Sequence, residues 1–228
     1  MKHINIAIDG PGGAGKSTIS KAVAKRLGII YVDTGALYRT VGYFAREKGL
    51  SVDDVKVTEK ISPLLADISI EIRYVDGSQH VILNGEDLGD KIRQPYISMY
   101  ASAVSSVPAV RAFLLEAQKK LARENSVIMD GRDIGTVILP DADVKIFLTA
   151  SSEARATRRY NELVAKGVDV KYENVLAEMN ERDHADSTRA AAPLKAADDA
   201  ILFDNSDYDF EGSVEHILKI IEDRTGVR

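Results

Sequence analysis

The chain of 228 residues carries 30 lysines and arginines against 35 aspartates and glutamates, a formal net charge of −5, and 45% of its residues are hydrophobic. This balance predicts one folded domain with an apolar core, and it excludes a long disordered chain and a general binder of nucleic acid or membrane surfaces. Cysteine is absent and the four histidines are scattered, so disulfides and thiolate metal sites are excluded. The N-terminal residues form neither a signal peptide nor a membrane span, and we expect a cytoplasmic monomer.

Apolar runs at the start of the chain predict alternating strands and helices. The predicted elements are a strand from Ile4 to Ile8, a helix from Ser17 to Leu27, a strand from Ile29 to Val32 and a helix from Ala36 to Lys48. Ser51 and Asp54 then have the spacing of a helix cap, which predicts a further helix.

A period of two replaces this pattern between about residues 67 and 90. Ile68, Ile70 and Ile72 alternate with polar residues, which predicts a half-exposed antiparallel strand. Asp76-Gly77 predicts a hairpin turn before a returning strand from Val81 to Leu83, and Asn84-Gly85 predicts a second turn. We therefore expect a small antiparallel subdomain inserted into the chain.

The alternation of strands and helices resumes after this insertion. The predicted helices are Gln94 to Ser106, Pro108 to Arg123, Glu153 to Lys166, Tyr172 to Ala185 and Ser213 to Arg224, and the predicted strands are Val127 to Met129, Val144 to Leu148 and Ile201 to Asp204. The fold class is therefore α/β, with a parallel sheet of about five strands flanked by helices.

A phosphate-binding loop joins the first strand to the first helix. Residues 10–17 match the pattern G-x-x-x-x-G-K-[ST], in which backbone N–H groups and the helix N-terminus hold phosphate oxygens. Lys16 would reach the β- and γ-phosphates, and the Ser17 hydroxyl would ligate Mg²⁺. The residues assigned to an ATP site are Gly10, Pro11, Gly12, Gly13, Ala14, Gly15, Lys16, Ser17 and Thr18.

Two further motifs follow predicted strands. One runs from Asp33 to Arg39 after the second strand, and the other from Asp130 to Asp133 after the third. Because ligands of open α/β sheets bind at the carboxyl ends of the strands, both motifs should face the phosphate loop. Their arginines suit an acceptor that carries its own phosphate, which favours a kinase of a small phosphorylated molecule over a nucleotide switch.

In their order along the chain, these motifs resemble bacterial cytidylate kinases, within the nucleoside monophosphate kinase group. The resemblance extends to Lys145 to Leu148, to the stretch from Arg182 to Arg189 and to the inserted β segment. It implies one kinase domain over residues 1–228, with a monophosphate-binding subdomain over 50–107 and an arginine-rich lid over about 158–190. It also implies phosphorylation of CMP and dCMP by ATP with Mg²⁺.

The resemblance assigns the cytosine base to a small group of side chains. Ser102 and Asp133 would accept hydrogen bonds from the N4 amine, and Arg111 would donate to the ring. Arg189 would orient Asp133. Uracil has an acceptor at the position of the amine, so a buried carboxylate there should reject it.

The resemblance also assigns the rest of the acceptor and the lid. Arg39, Arg132 and Arg182 would bind the monophosphate, Tyr38 would pack against the nucleotide, Asp186 would bind the sugar, and Thr34 stands where the family more often has serine. Arg155 would contact ATP, and Arg158 and Arg159 would join Lys16, Arg132 and Arg182 as catalytic residues. Which of Arg158 and Arg159 faces the nucleotide stays open, as does a role for Asp130 in holding Mg²⁺.

Two other functions are compatible with a phosphate loop. One is a kinase of another acceptor, such as UMP, shikimate or dephospho-coenzyme A, and the pair Asp133 and Arg189 favours cytosine over these. The other is a nucleotide-gated regulatory module that transfers no phosphate, which would close on ATP without producing ADP.

Overall fold

The structure, a computed structural model, describes residues 3–75, 77–94 and 96–227. The strands within these ranges are β1 (Asn5–Asp9), β2 (Ile30–Asp33), β3 (Ile70–Val75), β4 (Ser78–Leu83), β5 (Glu86–Asp87), β6 (Val127–Gly131), β7 (Val144–Thr149) and β8 (Ile201–Asp204). The α-helices are α1 (Lys16–Leu27), α2 (Thr34–Glu47), α3 (Thr58–Ile61), α4 (Ile97–Ser105), α5 (Pro108–Glu124), α6 (Ser152–Ala165), α7 (Tyr172–Thr188) and α8 (Phe210–Thr225).

Five strands form the main sheet in the order β2-β6-β1-β7-β8, and all of their pairings are parallel. Both faces of the sheet are covered, which explains why its strands are continuous apolar runs. In β1, Ile6 and Ile8 pack with α1 and α8 on one face, while Ala7 packs with α5 on the other. The predicted fold class is confirmed.

A second sheet of three antiparallel strands, β3-β4-β5, lies in the inserted segment. Ile70 pairs with Leu83 and Ile72 with Val81, and these side chains pack against the core that α2, α4 and α5 share. The turn at Asn84-Gly85 is confirmed, since both residues have positive φ, 49° and 89°. The turn predicted at Asp76-Gly77 includes residue 76, which lies outside the described residues.

Two helix predictions differ from the structure. Ser51 and Asp54 do form the reciprocal cap, with each backbone N–H bound to the other side chain at 3.0 and 3.1 Å. Only one turn of 3₁₀-helix follows, because Val57 is extended and α3 begins anew after it. The helix predicted from Gln94 begins at Ile97, and residue 95 lies outside the described residues.

No single helix in the described part of the chain is long and apolar enough to cross a membrane. The helices α4 and α5 meet that test only as a pair, and the pair is bent by 95°.

The close approach of β1 and β7 generates a prediction about Gly10. Its φ is +149°, and a Cβ atom there would overlap the backbone carbonyl oxygen of Leu148. Gly10→Ala should therefore lower the free energy of unfolding by about 3 kcal/mol, from strain at φ and from the clash. Gly28→Ala is the matched control, because Gly28 also has positive φ but open space around it, and it should cost only about 1 kcal/mol. Equal losses in denaturant titrations of the two variants would contradict this packing.

Candidate active site

The site is built at the carboxyl edge of the main sheet. There β6 lies between β1 and β2, and Asp130 pairs in register with Ile8 on one side and with Asp33 on the other. Neighbouring strands are roughly 5 Å apart, so the segments that leave β1, β6 and β2 begin within roughly 10 Å of one another. The phosphate loop and both arginine motifs therefore meet at one edge, as the sequence predicted.

The phosphate loop wraps around its own lysine. Gly13 and Gly15 have φ of 76° and 87°, values that turn the loop back toward the N-terminus of α1. Lys16 is 5% exposed, and its Nζ donates to the carbonyl oxygen of Pro11 at 2.7 Å. Burial, and then the charge of Arg132, lower the pKa of Lys16. The negative charge of a phosphate in the loop would act in the opposite direction and raise this pKa.

Asp130 anchors the start of α1. The Ser17 hydroxyl donates to one of its oxygens at 2.6 Å, and the Tyr31 hydroxyl donates to the other at 2.8 Å. Burial, and then the charge of Asp33, raise the pKa of Asp130, although the charge of Lys16 acts in the opposite direction. A hydroxyl and a carboxylate are the hard oxygen ligands that Mg²⁺ prefers, and the pair fits that ion.

These oxygens cannot form a complete metal site by themselves. No cluster of three or more histidine, aspartate or glutamate side chains suited to a metal occurs within residues 3–75, 77–94 and 96–227. Mg²⁺ is commonly held by one or two protein ligands together with substrate phosphates. A Mg²⁺ ion at Ser17 and Asp130 would therefore need phosphate oxygens of a bound nucleotide as further ligands.

Three arginines concentrate positive charge beside the loop. Arg39 donates to Asp33 at 2.7 Å, and Arg132 donates to Asp186 at 2.9 Å. Partial removal from water, and then the charge of Arg132, lower the pKa of Arg182, and Arg39 acts in the same direction. Burial alone would raise the pKa of Asp186, but the charges of Arg132 and Arg182 hold it below its usual value. Like charges this close favour an anionic ligand.

An ion pair lies at the far end of this group of cations. Arg111 pairs with Asp133, and their side chains are only 11% and 4% exposed. The Arg111 guanidinium lies over the Tyr38 ring, 5.5 Å from its centroid, and burial raises the pKa of Tyr38 to about 12. A cavity of about 210 Å³ adjoins these three side chains.

The cavity also contains a polar group that the sequence analysis did not single out. The amide of Gln118 lines it, is 1% exposed and lies close enough to the Tyr38 hydroxyl to act on its pKa. Leu115, Val137 and Ile138 supply apolar walls. A planar base with polar edge groups suits such a lining.

Arg189 has partners other than the expected one. We expected it to orient Asp133, but Arg111 occupies that carboxylate. Arg189 instead donates to the Ser105 hydroxyl at 3.0 Å and lies 3.7 Å from Asp186. Ser102 is half-buried in α4, and its carbonyl accepts from the Ser105 hydroxyl at 2.8 Å.

Two other predicted residues, Thr34 and Thr18, lie near the start of a helix, and Thr34 connects two elements. Thr34 is buried, and its hydroxyl donates to the backbone carbonyl of Asp130 at 2.7 Å, which ties the start of α2 to β6. Thr18 is exposed in the first turn of α1.

The arginines of α6 divide into two kinds. Arg155 is buried, donates to the loop carbonyl of Gly12 at 3.0 Å and pairs with Asp183 of α7 at 2.6 Å. Arg158 donates twice to Asn205, at 3.0 and 2.8 Å, and the Asn205 amide donates to the loop carbonyl of Ala14 at 3.1 Å.

The third arginine of this helix, Arg159, pairs with Glu162 at 2.9 Å on the outer surface. In this conformation Arg155 and Arg158 brace the phosphate loop, and Arg159 does not.

The sequence patterns assign no role to several residues of the site. They are Asp9, Tyr31, Gln118, Asp183 and Asn205. Asp9 had one usable signal, a charged residue at the end of an apolar strand directly before the loop. The partners of Tyr31, Asp183 and Asn205 lie far along the chain, so the roles of these residues appear only in the fold.

Comparison with known proteins agrees with this geometry. A family model described as cytidylate kinase matches residues 6–223. Proteins named cytidylate kinase from Caldicellulosiruptor saccharolyticus and Ligilactobacillus salivarius are 51% and 46% identical to this chain, over 96% and 98% of it and 96% and 99% of their own lengths. The crystal structure of an uncharacterized protein from Eubacterium ventriosum matches 98% of this chain and 100% of its own at 16% identity, with a TM-score of 0.53, which shows the fold alone. By its sequence along nearly the whole length, this chain belongs to the cytidylate kinase family.

Proposed function

We propose that this protein transfers the γ-phosphoryl group of ATP to CMP and dCMP, with Mg²⁺, as a step of pyrimidine nucleotide metabolism in the cytoplasm. One observation carries the proposal: the phosphate loop and the three-arginine group of Arg39, Arg132 and Arg182 adjoin at the same strand edge. Such an arrangement serves a reaction between two phosphates, because each anion needs its own cationic site.

The donor end would be held by the loop and its braces. Backbone N–H groups of the loop and Lys16 would bind the phosphates of ATP, while Arg155 and Arg158 keep the loop in shape through Gly12 and Asn205. Ser17 and Asp130 would hold Mg²⁺, which when bound neutralises charge on the donor phosphates. To bind the phosphates of ATP, Lys16 would leave its contact with the carbonyl oxygen of Pro11.

The acceptor end would be held by the three-arginine group. Arg39, Arg132 and Arg182 would bind the monophosphate and direct one of its oxygens at the γ-phosphorus in line with the leaving group. No strong general base is needed, because a phosphate oxygen is already ionised at neutral pH. Catalysis would come from alignment and from cations that stabilise the transferring group.

The base would enter beside the Arg111 and Asp133 pair. Asp133 and Ser102 would accept from the cytosine N4 amine, and Arg111 would donate to the ring. Tyr38 would pack on the nucleotide, Asp186 would bind the sugar, and Arg189 would support this group through Ser105 and Asp186.

Two segments would change position during turnover. We assign residues 50–107, which contain the three-stranded sheet, to a monophosphate-binding subdomain, and residues 158–190 to a lid. The pairs Arg155 with Asp183 and Arg132 with Asp186 connect α7 to the phosphate loop and to β6, so lid position and acceptor site are linked.

The proposal is tested by measuring ADP release from Mg·ATP with CMP, dCMP, UMP, AMP, GMP, shikimate, dephospho-coenzyme A or no acceptor. Turnover confined to CMP and dCMP is expected. Turnover with another acceptor would reassign the second site, and binding of ATP with no turnover at all would indicate a regulatory module.

Base reading predicts a selective effect of Asp133→Ala. Loss of the carboxylate removes the group that accepts from N4 and that penalises uracil, so the ratio of kcat/KM for CMP over UMP should fall by about 10- to 100-fold. Equal losses for the two substrates would contradict the assignment.

Arg132→Ala is the contrasting variant. Arg132 contacts Asp186, and in this proposal it would bind the phosphate and not the base. Its removal should lower kcat/KM by about 100- to 1,000-fold for every acceptor, with the CMP to UMP ratio unchanged. A change in that ratio would place Arg132 in base reading instead.

The neighbouring lid arginines make a matched pair. Arg158→Ala removes the brace under the loop through Asn205, and the KM for ATP should rise by about tenfold. Arg159→Ala removes only an exposed ion pair and should change it by less than about twofold. A larger rise in the KM for ATP in Arg159→Ala than in Arg158→Ala would show that the lid closes with Arg159 toward the nucleotide.

A further inference from the structure

The last residue of β1, Asp9, is a charged side chain that the proposed reaction does not use. It is 4% exposed and directly precedes Gly10 of the phosphate loop. Burial raises the pKa of Asp9 to about 6, although two backbone hydrogen bonds act in the opposite direction. A buried carboxylate is costly for a fold to keep, so its contacts indicate what it does.

Those contacts reach across the sheet to the segment that follows β6. One oxygen of Asp9 accepts from the backbone N–H of Ile134 at 2.8 Å, and the other accepts from that of Gly135 at 2.7 Å. These are the first two amides of a single π-helical turn, Ile134–Ile138, that begins directly after Asp133. Both oxygens of one side chain are thus committed to this turn.

Gly135 makes room for this contact. A Cβ atom there would lie 3.4 Å from the Asp9 carboxylate and 3.2 Å from the side chain of Lys145. The φ of Gly135 is outside the left-handed range, so backbone conformation does not demand glycine. A larger residue would be in contact with the carboxylate and would crowd the Lys145 side chain.

The turn held in this way directly follows Arg132 and Asp133, the residues assigned to the acceptor phosphate and base. Arg132 and Asp133 lie within three residues of the bound amides, and Asp133 is paired with Arg111 at the cavity. At its other side Asp9 is joined by one peptide bond to the phosphate loop, and the charge of Lys16 acts on it. A single rigid carboxylate therefore connects the loop of the donor site with the residues of the acceptor site.

We propose that Asp9 is a positioning residue that sets Arg132 and Asp133 relative to the phosphate loop, so that the acceptor phosphate and base are aligned with the donor. This inference rests on the proposed function for the identity of the acceptor. Asp9 touches no substrate. It acts through the two amides that it binds.

The test uses Asp9→Asn in the full-length protein, with steady-state kinetics and thermal unfolding. Asparagine keeps the size of the side chain but turns one acceptor into a donor that faces a backbone N–H. The KM for CMP should rise by about tenfold and the CMP to UMP ratio should fall by about tenfold, while the KM for ATP changes by less than about twofold.

Asp143→Asn is the matched control. Asp143 accepts from the backbone N–H of Asn5 at 2.9 Å, so it binds the opposite end of the same strand, away from the site. This variant should lower the melting temperature without changing either KM. A structural role for Asp9 would make Asp9→Asn behave in the same way, which would overturn the proposal.

Gly135→Ala provides a second route if Asp9→Asn does not fold. The added methyl group would lie 3.2 Å from the Lys145 side chain and 3.4 Å from the Asp9 carboxylate, which it leaves in place. The KM for CMP should rise by about threefold, while the KM for ATP changes by less than about twofold. Equal changes in both KM values would again overturn the proposal.

The double variant Asp9→Asn with Asp133→Ala separates the two roles. If Asp9 acts through Asp133, its substitution should leave the CMP to UMP ratio of Asp133→Ala unchanged. A further fall in the ratio would contradict this.

The wild-type acceptor panel distinguishes this inference from the proposed function. Should the wild type use a different acceptor, the proposed function fails, and the split between acceptor KM and ATP KM still tests Asp9 with that acceptor.

Discussion

The parallel register between β1 and β6 is the constraint on which the rest of the site depends. It sets Ile8 beside Asp130 and Asp9 beside Gly131, so the phosphate loop and the segment that begins at Arg132 leave the sheet side by side. A shift of one residue would turn Asp130 to the opposite face of the sheet. Ser17 and Tyr31 would then lose the carboxylate that both of them bind.

Electrostatics gives this edge its chemical character. Burial, and then the charge of Arg132, lower the pKa values of both Lys16 and Arg182 at this edge. Asp130 offsets part of this charge at Lys16, and Asp186 offsets part of it at Arg182. An excess of positive charge that protein groups only partly balance is suited to two polyanionic substrates, and less suited to a neutral acceptor such as a sugar.

Much of this architecture could be predicted from the sequence, because its signals are local. The five strands of the main sheet are apolar runs, and each lies within a few residues of its predicted bounds. The phosphate loop is contiguous and has a strict pattern. By contrast, β5 has two exposed residues and no apolar signal, and the helix expected after Ser51 stops at Val57 despite a well-formed cap.

What could not be predicted depends on pairings between distant residues. Asp9 meets amides 125 and 126 residues further along the chain, and Arg158 meets Asn205 at a separation of 47. The choice of Arg111 over Arg189 as the partner of Asp133 depends on how α5 packs against the turn after β6, which no local pattern encodes. The resemblance named both arginines, but only the fold shows which of them pairs with Asp133.

In the proposed reaction the donor and acceptor phosphates face each other across β1 and β6. This arrangement is tested most directly by titration calorimetry with a compound in which adenosine and cytidine are joined 5′ to 5′ through five phosphates. Because the second half binds intramolecularly, this molecule should bind about 100-fold more tightly than ATP or CMP alone, and its uridine analogue should lose most of that gain. An affinity no better than that of ATP would mean that the two sites do not face each other, and would contradict the account.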